Sequence, residues 1–405
     1  MTEGRRVAAR GAGPLRARRP RLSPAAWVAV ASWLVVGALL AFGRSPALVE
    51  RLFAGGAGQA LARAVAGLTG RVPFGLAEPV AVAVALWLLV PLVRAVRDVA
   101  RRRRAAGPAL VAELLRLVVT AGVGVAIFYA AWGLNYARLD LEVRLGWEGL
   151  AAPVAQAEAT EELAKFAGDL VEATNAAYRE ATATPDLGVP SGADLDLAAL
   201  DRALDSGYVR AAALLGAEPG FSAPRGPAKP VLASDLMSRL GVSGVYFPWT
   251  GEANYNRLVP RAQLPLVIAH EKAHQRGIAS EDEANFVGYV ASALADDPYA
   301  RYSGLLFAQR QLLFELQERD PERAEALLDR RLPGVQRDVD AAREFWARYE
   351  GPLREVQTRS NDTYLKLNGV EEGVASYDRS AELILLFARA NGGDPEPRAS
   401  VSEAG

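Results

Sequence analysis

The chain is long, nearly neutral in charge and free of cysteine. It has 405 residues, with 46 Lys and Arg against 47 Asp and Glu, which gives a formal net charge of −1 at pH 7. This balance gives no support to a nucleic-acid-binding protein, and we expect no nucleic-acid partner. The absence of cysteine excludes disulfide bonds and thiolate metal sites. The length accommodates one large domain or two of moderate size.

Three apolar segments lie in the first third of the chain. The first, residues 24–42, reads PAAWVAVASWLVVGALLAF and carries no charge. The others lie at about 76–93 and 113–134. Helices of this length can cross a hydrocarbon core of about 30 Å, so the segments predict a membrane domain over residues 24–134. A cleaved signal peptide is the alternative for the first segment, but no clear small-x-small cleavage site follows it.

The distribution of arginine predicts the orientation of this domain. Seven arginines lie in residues 1–23 and six in residues 94–104, against four in the longer 43–78 connection. Because positive charge is retained in the cytoplasm, we expect a cytoplasmic N-terminus and a cytoplasmic 94–109 loop. Three crossings then place residues 135–405 outside the cytoplasmic membrane. The protein is therefore expected to be multi-pass, with the lipid bilayer as a partner.

Residues 135–405 are polar enough for an extracytoplasmic domain, and their pattern is mainly α-helical. Apolar residues at helical spacing predict helices at 155–182, 194–215, 299–317 and 335–349, with Asp194 or Asp196 as the N-cap of the second. Two segments rich in proline and glycine, 185–190 and 218–230, predict loops. The stretch GVSGVYFPWTGEANYN at 241–256 predicts a short β element followed by a turn.

Both histidines of the chain lie in VIAHEKAHQRGIASEDEANF, residues 267–286. His270 and His274 are four residues apart, which places both imidazoles on one face of a helix, where they can share a metal. Pro265 suits the first turn of that helix, and Gly277 its end. Glu271 would lie beside the metal and exchange a proton with a metal-activated water. The alternative is a surface helix with two solvated histidines.

A catalytic zinc usually has three protein ligands. With no further histidine and no cysteine, the third must be a carboxylate, and the candidates are Glu281, Asp282 and Glu283. A second helix starting at Ser280 would be stabilised by a capping box that Glu283 completes. Asn285 would lie one turn beyond Glu281 on the same face, where it could hold a histidine by a hydrogen bond.

HEKAH followed by EDEAN resembles the glutamate zincins, in which a glutamate on the next helix completes an HExxH site. This resemblance implies one Zn²⁺ per chain with His270, His274 and Glu281 as ligands and Glu271 as the catalytic residue. Glu283 remains the alternative third ligand. The whole chain resembles domain of unknown function 3810, a family of bacterial membrane proteins. The residues that carry the resemblance are 270–277, 281–286, 241–256 and YLKLNGVEEGVASYDR at 364–379.

The resemblance implies an α-rich, zincin-like outer domain and a membrane-anchored zinc metallopeptidase. Such an enzyme would hydrolyse peptides or exported proteins with a zinc-activated water on the outer face of the bacterial cytoplasmic membrane. Two alternatives stay open, namely a metal-dependent sensor or binding module without activity, and an amidase of cell-wall peptides. One residue departs from the zincin pattern, because Lys272 is charged where such helices usually carry an uncharged residue.

Peptide hydrolysis also needs a group that stabilises the oxyanion. The candidates are the side chains of Tyr246, Tyr255, Tyr377 and Arg379. The strand predicted near 244–247 could bind an extended peptide by edge pairing.

Overall fold

Helices dominate the fold, as the sequence predicts. The computed structural model describes residues 23–151, 156–182, 195–217, 220–368, 370 and 379–398. The arginines before residue 22, the 185–190 loop and Tyr377 lie outside the described residues.

Three helices of the N-terminal region are long and apolar enough to cross a membrane, which confirms the prediction of three apolar spans. They are α1 (Pro24–Gly43), α4 (Ala77–Ala100) and α5 (Ala106–Ala131). Few of their residues are buried, so most of their apolar side chains face outwards. The last span begins seven residues before the predicted position. Within this helix Glu113 and Arg116 pair at 2.6 Å.

The connection between α1 and α4 packs on the globular part of the chain. It contains α2 (Pro46–Leu48), a π-helical segment (Val49–Ala57) and α3 (Gly58–Thr69). Arg138 forms a salt bridge with Glu50 at 2.9 Å, and the Lys229 ammonium donates to the Thr69 carbonyl at 2.9 Å. The N-terminal region and the globular part are therefore joined by polar contacts as well as by the chain.

The helices of the globular part pack around one large apolar core and smaller apolar clusters. In the described ranges they are α6 (Leu141–Arg144), α7 (Gln156–Ala181), α8 (Leu197–Leu215), α9 (Ser234–Arg239), α10 (Leu264–Gln275), α11 (Glu281–Ala293), α12 (Pro298–Arg319), α13 (Pro321–Leu328), α14 (Pro333–Ala347), α15 (Pro352–Leu367) and α16 (Ser380–Ala390), with 3₁₀ turns at Gly133–Ala137 and Glu148–Ala151. The four predicted helices correspond to α7, α8, α12 and α14. Asp196 caps α8 by accepting hydrogen bonds from two backbone amides.

A small sheet lies beside α10. Its strands β1 (Lys229–Val231), β2 (Gly244–Phe247) and β3 (Glu252–Asn256) are arranged in the order β1-β3-β2. β1 is parallel to β3, and β2 is antiparallel to β3, so β2 is an edge strand. The loop prediction was wrong at its end. Lys229 joins the sheet because its ammonium pairs with buried Glu252 at 2.6 Å, and Pro230 is tolerated because β1 is also an edge strand.

Candidate metal centre

Helix α10 carries both histidines and ends as the sequence predicts. Pro265 lies in its first turn, and Gly277 beyond its last turn has φ +85°, a conformation that favours glycine. His270 and His274 border a large cavity. Lys272 lies elsewhere on the helix and is fully buried, with its ammonium 2.9 Å from Asp201 and 3.0 Å from Asp205 of α8. The charge that departs from the zincin pattern therefore anchors the helix in the core.

Helix α11 brings the carboxylate of Glu281 to the two imidazoles. The Glu281 Oε2 lies 3.1 Å from His270 Nε2 and 3.6 Å from His274 Nε2, and the two Nε2 atoms are 3.0 Å apart. The close approach of the two helices depends on Gly288, because a Cβ there would lie 3.0 Å from the backbone nitrogen of His270. The two helices can therefore pack closely enough for the two imidazoles and the Glu281 carboxylate to meet, even though the link between His274 and Glu281 is short.

The donor atoms fit a zinc ion. His274 Nδ1 donates to the carbonyl of Ile278 at 2.7 Å, which leaves its Nε2 lone pair directed at the other ligands. One ligand atom from each of the three residues lies within 4.8 Å of the others. Two imidazole nitrogens and one carboxylate oxygen, with room for a fourth ligand on the cavity side, are the donor set of catalytic zinc sites.

Protonation in this cluster reflects its mutual hydrogen bonds. Burial alone would lower the pKa of His274, but its hydrogen bond to Glu281 and the neighbouring carboxylates raise it to about 9. Burial would raise the pKa of Glu281, but hydrogen bonds from both imidazoles hold it well below its usual range. A cation bound between these groups would take the place of the proton that His274 otherwise retains.

Glu271 is a buried carboxylate beside this cluster. Burial raises the pKa of its carboxyl to about 7, although the nearby imidazoles and a hydrogen bond from the Tyr246 amide act in the opposite direction. Its Oε2 is buried without a hydrogen-bond partner in the described residues. The carboxylate lies against Gly244 of β2, where an added Cβ would be 2.4 Å from Oε1. A pKa near neutrality suits a group that accepts and returns protons.

The cluster opens into a cavity of about 1010 Å³. One wall is the edge strand β2, and another is α15, which presents Gln357, Asn361 and Tyr364. The last turns of α5 form a third wall. The cavity is therefore bounded partly by a candidate membrane span.

The structure separates the two acidic candidates for the third ligand. Glu281 joins the histidines, whereas the Glu283 carboxylate accepts from the Leu141 amide at 2.7 Å and pairs with Arg144 at 2.6 Å. The prediction of a capping box is wrong, because these contacts with Leu141 and Arg144 hold the Glu283 side chain away from the helix end. Ser280 is the N-cap residue, but its hydroxyl donates to Asp282 rather than capping the helix. The buried arginine competes for Glu283 more effectively than a backbone amide.

The other predicted residues divide between the cavity and the core. Asn285 and Tyr246 line the cavity, but the Asn285 amide donates to Ser380 at 3.4 Å, and the Tyr246 ring packs on Trp132 at 5.3 Å. Tyr255 does not reach the cavity, because it packs in an apolar cluster on another face of α10.

Arg379 is also placed away from the cavity lining. It pairs with Glu142 at 3.0 Å and lies 3.8 Å from Asp282, so its charge is used to hold α16 near α6 and α11. Tyr377 lies outside the described residues. Of the four candidates for oxyanion stabilisation, Tyr246 alone is described at the cavity.

Two tyrosines that the sequence reasoning did not select lie at the cavity. The hydroxyls of Tyr136 and Tyr364 are 3.3 Å apart. Burial and the nearby charge of Glu281 raise the pKa of Tyr364 to about 12, although its hydrogen bond with Tyr136 acts in the opposite direction, so its phenol remains protonated at neutral pH. Tyr364 is the first residue of the 364–379 segment that carries the family resemblance, so this segment could have indicated Tyr364 as a site residue.

Fold and site together define a mainly helical protein with three membrane-length apolar helices and a His-His-Glu cluster. The chain belongs to the family Protein of unknown function (DUF3810), which matches residues 55–385. No curated protein and no solved structure matches the chain.

Proposed function

We propose that this protein is a membrane-anchored zinc metallopeptidase. The observation that carries the proposal is the convergence of His270, His274 and Glu281 at the wall of a large cavity, with the buried carboxylate of Glu271 next to them. A structural zinc site is usually closed by four protein ligands. An open cluster of three ligands beside a carboxylate that can carry a proton supports hydrolysis instead.

His270, His274 and Glu281 would hold the metal. Zinc bound there supplies a Lewis acid that polarises a carbonyl and makes water more acidic. Glu271 accepts the proton of the attacking water and returns it to the leaving amine. Its raised pKa supports both steps, because the carboxyl is then neither a strong acid nor permanently charged near pH 7. The glycine at position 244 leaves the space that this carboxylate occupies.

The cavity walls suit an extended peptide. β2 pairs with β3 on one side only, and its residues border the cavity. A substrate strand can add to such an edge by main-chain hydrogen bonds. The protonated hydroxyl of Tyr364 lies at the same cavity and can donate to a developing oxyanion, with Tyr136 positioning it.

The orientation follows from the arginines and from the packing of the connection. The 44–76 connection contacts the globular part, so both lie on one side of the three spans. The four arginines at 101–104 follow the other end of α4. Because positive charge is retained in the cytoplasm, this arrangement supports the proposal that the metal cluster lies outside the cytoplasmic membrane.

The test uses the full-length protein in detergent. We expect about one zinc per wild-type chain, loss of zinc in His270→Ala and Glu281→Ala, and retained zinc without hydrolysis in Glu271→Gln. The exposed substitution Glu322→Gln is the matched control and should change neither property. Activity is measured on peptide pools, with purified cell-wall peptides in parallel to detect an amidase. A wild type that binds no zinc refutes the proposal. Zinc binding without hydrolysis of any pool supports a sensor or binding module.

A further inference from the structure

The third apolar helix, α5, forms part of the cavity wall. The charged residues that flank its apolar part indicate how deep this wall would lie in a bilayer. Residues 117–131 of α5 carry no charge and span about 22 Å. The Glu113–Arg116 pair precedes them, and charges are costly inside a bilayer. Because about 22 Å is shorter than a hydrocarbon core of about 30 Å, the whole 117–131 segment fits within the core.

The end of helix α1 independently indicates where the outer boundary of the hydrocarbon core would lie. Its charge-free run ends at Gly43, immediately before Arg44. Gly43 lies against Leu134 and Ala137, just beyond the end of α5. Val125 and Phe128 line the cavity one to two helical turns before that level. With α5 spanning the bilayer up to this level, this part of the cavity would lie at acyl-chain depth.

The globular part contacts this wall of the cavity directly. The indole of Trp249, in the turn after β2, donates to the carbonyl of Gly124 at 3.0 Å, and its ring packs on Phe128 at 5.8 Å. At the other end of the same wall, the indole of Trp132 donates to the carbonyl of His274 at 2.8 Å. The metal cluster is thus connected to the outer end of the span by direct contact.

One rim of the cavity exposes apolar side chains. This apolar rim comprises Val245, Trp249 and Leu367, which are 41%, 43% and 77% exposed. Exposed apolar groups clustered at a cavity mark an interaction surface, and tryptophan favours the bilayer interface. The wall formed by Gln357 and Asn361 is polar instead. The cavity is apolar where it meets the span and at Leu367, the last residue of α15, and it is polar along Gln357 and Asn361 of the same helix.

We propose that the cavity opens at the bilayer surface and that its substrate is a polypeptide anchored in the same membrane and cleaved close to its anchor. This inference rests on the proposed peptidase function. An anchored chain reaches the apolar rim by lateral diffusion, leaves the hydrocarbon at the level of Phe128, and pairs with the edge of β2 as it extends towards Glu271. Tethering to the bilayer raises the effective concentration of such a segment at the site.

The first test measures depth and needs no activity. The chain has no cysteine, so one introduced cysteine can be labelled alone. Val245→Cys, Trp249→Cys and Leu367→Cys are labelled with an environment-sensitive fluorophore. The full-length protein is then reconstituted in phosphatidylethanolamine and phosphatidylglycerol vesicles that carry lipid-borne quenchers. We expect strong quenching at these positions and little at Glu322→Cys, on exposed α13. Quenching at the rim no stronger than at the control overturns the inference.

The second test compares substrates in the same vesicles. A randomised segment is presented beyond a single membrane anchor, after a spacer of about 3 or about 20 residues, or on a soluble carrier; the spacers reach roughly 10 Å and 65 Å. We expect the near segment to be cut at least about tenfold faster than the soluble one, with Glu271→Gln inactive. Equal cleavage of all three overturns the inference and leaves the peptidase intact. If no segment is cut and lipid alone occupies the cavity, both proposals are overturned.

Discussion

Replacing Gly244 with alanine should disable Glu271 while leaving the metal cluster in place. An ideal Cβ at position 244 lies 2.4 Å from Glu271 Oε1 and 2.8 Å from its Cδ. Carbon contacts are favourable near 3.5–4.0 Å, so one of the groups must move by about 1 Å. The backbone of β2 is hydrogen-bonded to β3, and therefore the carboxylate, at the end of a rotatable side chain, should yield.

The expected loss of activity follows from that displacement. A misplacement of about 1 Å in a catalytic group can cost about 100-fold in rate, which corresponds to about 2.7 kcal/mol of transition-state stabilisation. We expect kcat/KM for a peptide substrate to fall by roughly that factor in Gly244→Ala. Zinc stoichiometry should stay the same, because Gly244 contacts none of the three ligands among its nearest neighbours.

The assay is steady-state hydrolysis together with zinc analysis and thermal unfolding of the same preparations. Gly149→Ala is the matched control, since a Cβ at that position meets nothing within 4 Å. Full activity in Gly244→Ala would refute the reasoning, because the carboxylate would then be able to act from a displaced position. Loss of zinc would refute it in a different way, by showing that the substitution disturbs the ligands.

Three further predictions concern the ligands and the core. Glu281→Gln should weaken zinc binding at least about tenfold, which isothermal titration with zinc measures. Glu283→Gln should keep one zinc per chain but lower Tm in thermal unfolding, because its carboxylate pairs with Arg144. Lys272→Ala should destabilise the fold by about 3–5 kcal/mol, because Asp201 then loses its buried cation while Asp205 keeps only Arg276, at 2.8 Å; a denaturant titration in which Lys272→Ala matches wild type would contradict this. Zinc affinity should rise with pH up to about 9, because the metal must displace the proton that the raised pKa of His274 retains. Chelator competition between pH 6 and 8 should show the Kd for zinc falling by about tenfold per pH unit. A Kd that does not change with pH would contradict this prediction.

Local patterns in the sequence were enough to predict the spans and the motif helix. The 24–42 run and the spacing of His270 and His274 depend on residues that are close along the chain. Their helical periodicity and lack of charge therefore indicate structure directly. The approximate ends of α10 were predictable for the same reason, since Pro265 and Gly277 act within a single turn.

The cavity could not be predicted in this way. Tyr364 approaches Tyr136 across 228 positions of chain, and Trp132 contacts His274 across 142. The failed capping box has the same origin. A serine and a glutamate three residues apart favour a local interaction, but Glu283 is bound by Arg144 from a distant helix. Contacts of this kind follow from the packing of whole elements, which no single window of sequence contains.

The carbonyl groups at the end of α10 make the metal helix dependent on the N-terminal region. Trp132 donates to the carbonyl of His274, Gln59 to that of Arg276 at 2.8 Å, and Arg138 to that of Gly277 at 3.2 Å. The His274 carbonyl also accepts from the Gly277 amide at 3.0 Å, whereas a buried helix-end carbonyl with no donor at all costs about 1–3 kcal/mol.

All three donors precede residue 140: Gln59 lies in the connection between α1 and α4, and Trp132 and Arg138 follow the end of α5. During biosynthesis the metal helix therefore receives the groups that complete its end only after the preceding segments have folded beside it. In a chain released before membrane insertion these donors would not be in place, and so we expect formation of the metal cluster to depend on correct insertion. For the peptidase that we propose, this coupling would keep the site inactive until the chain has left the cytoplasm.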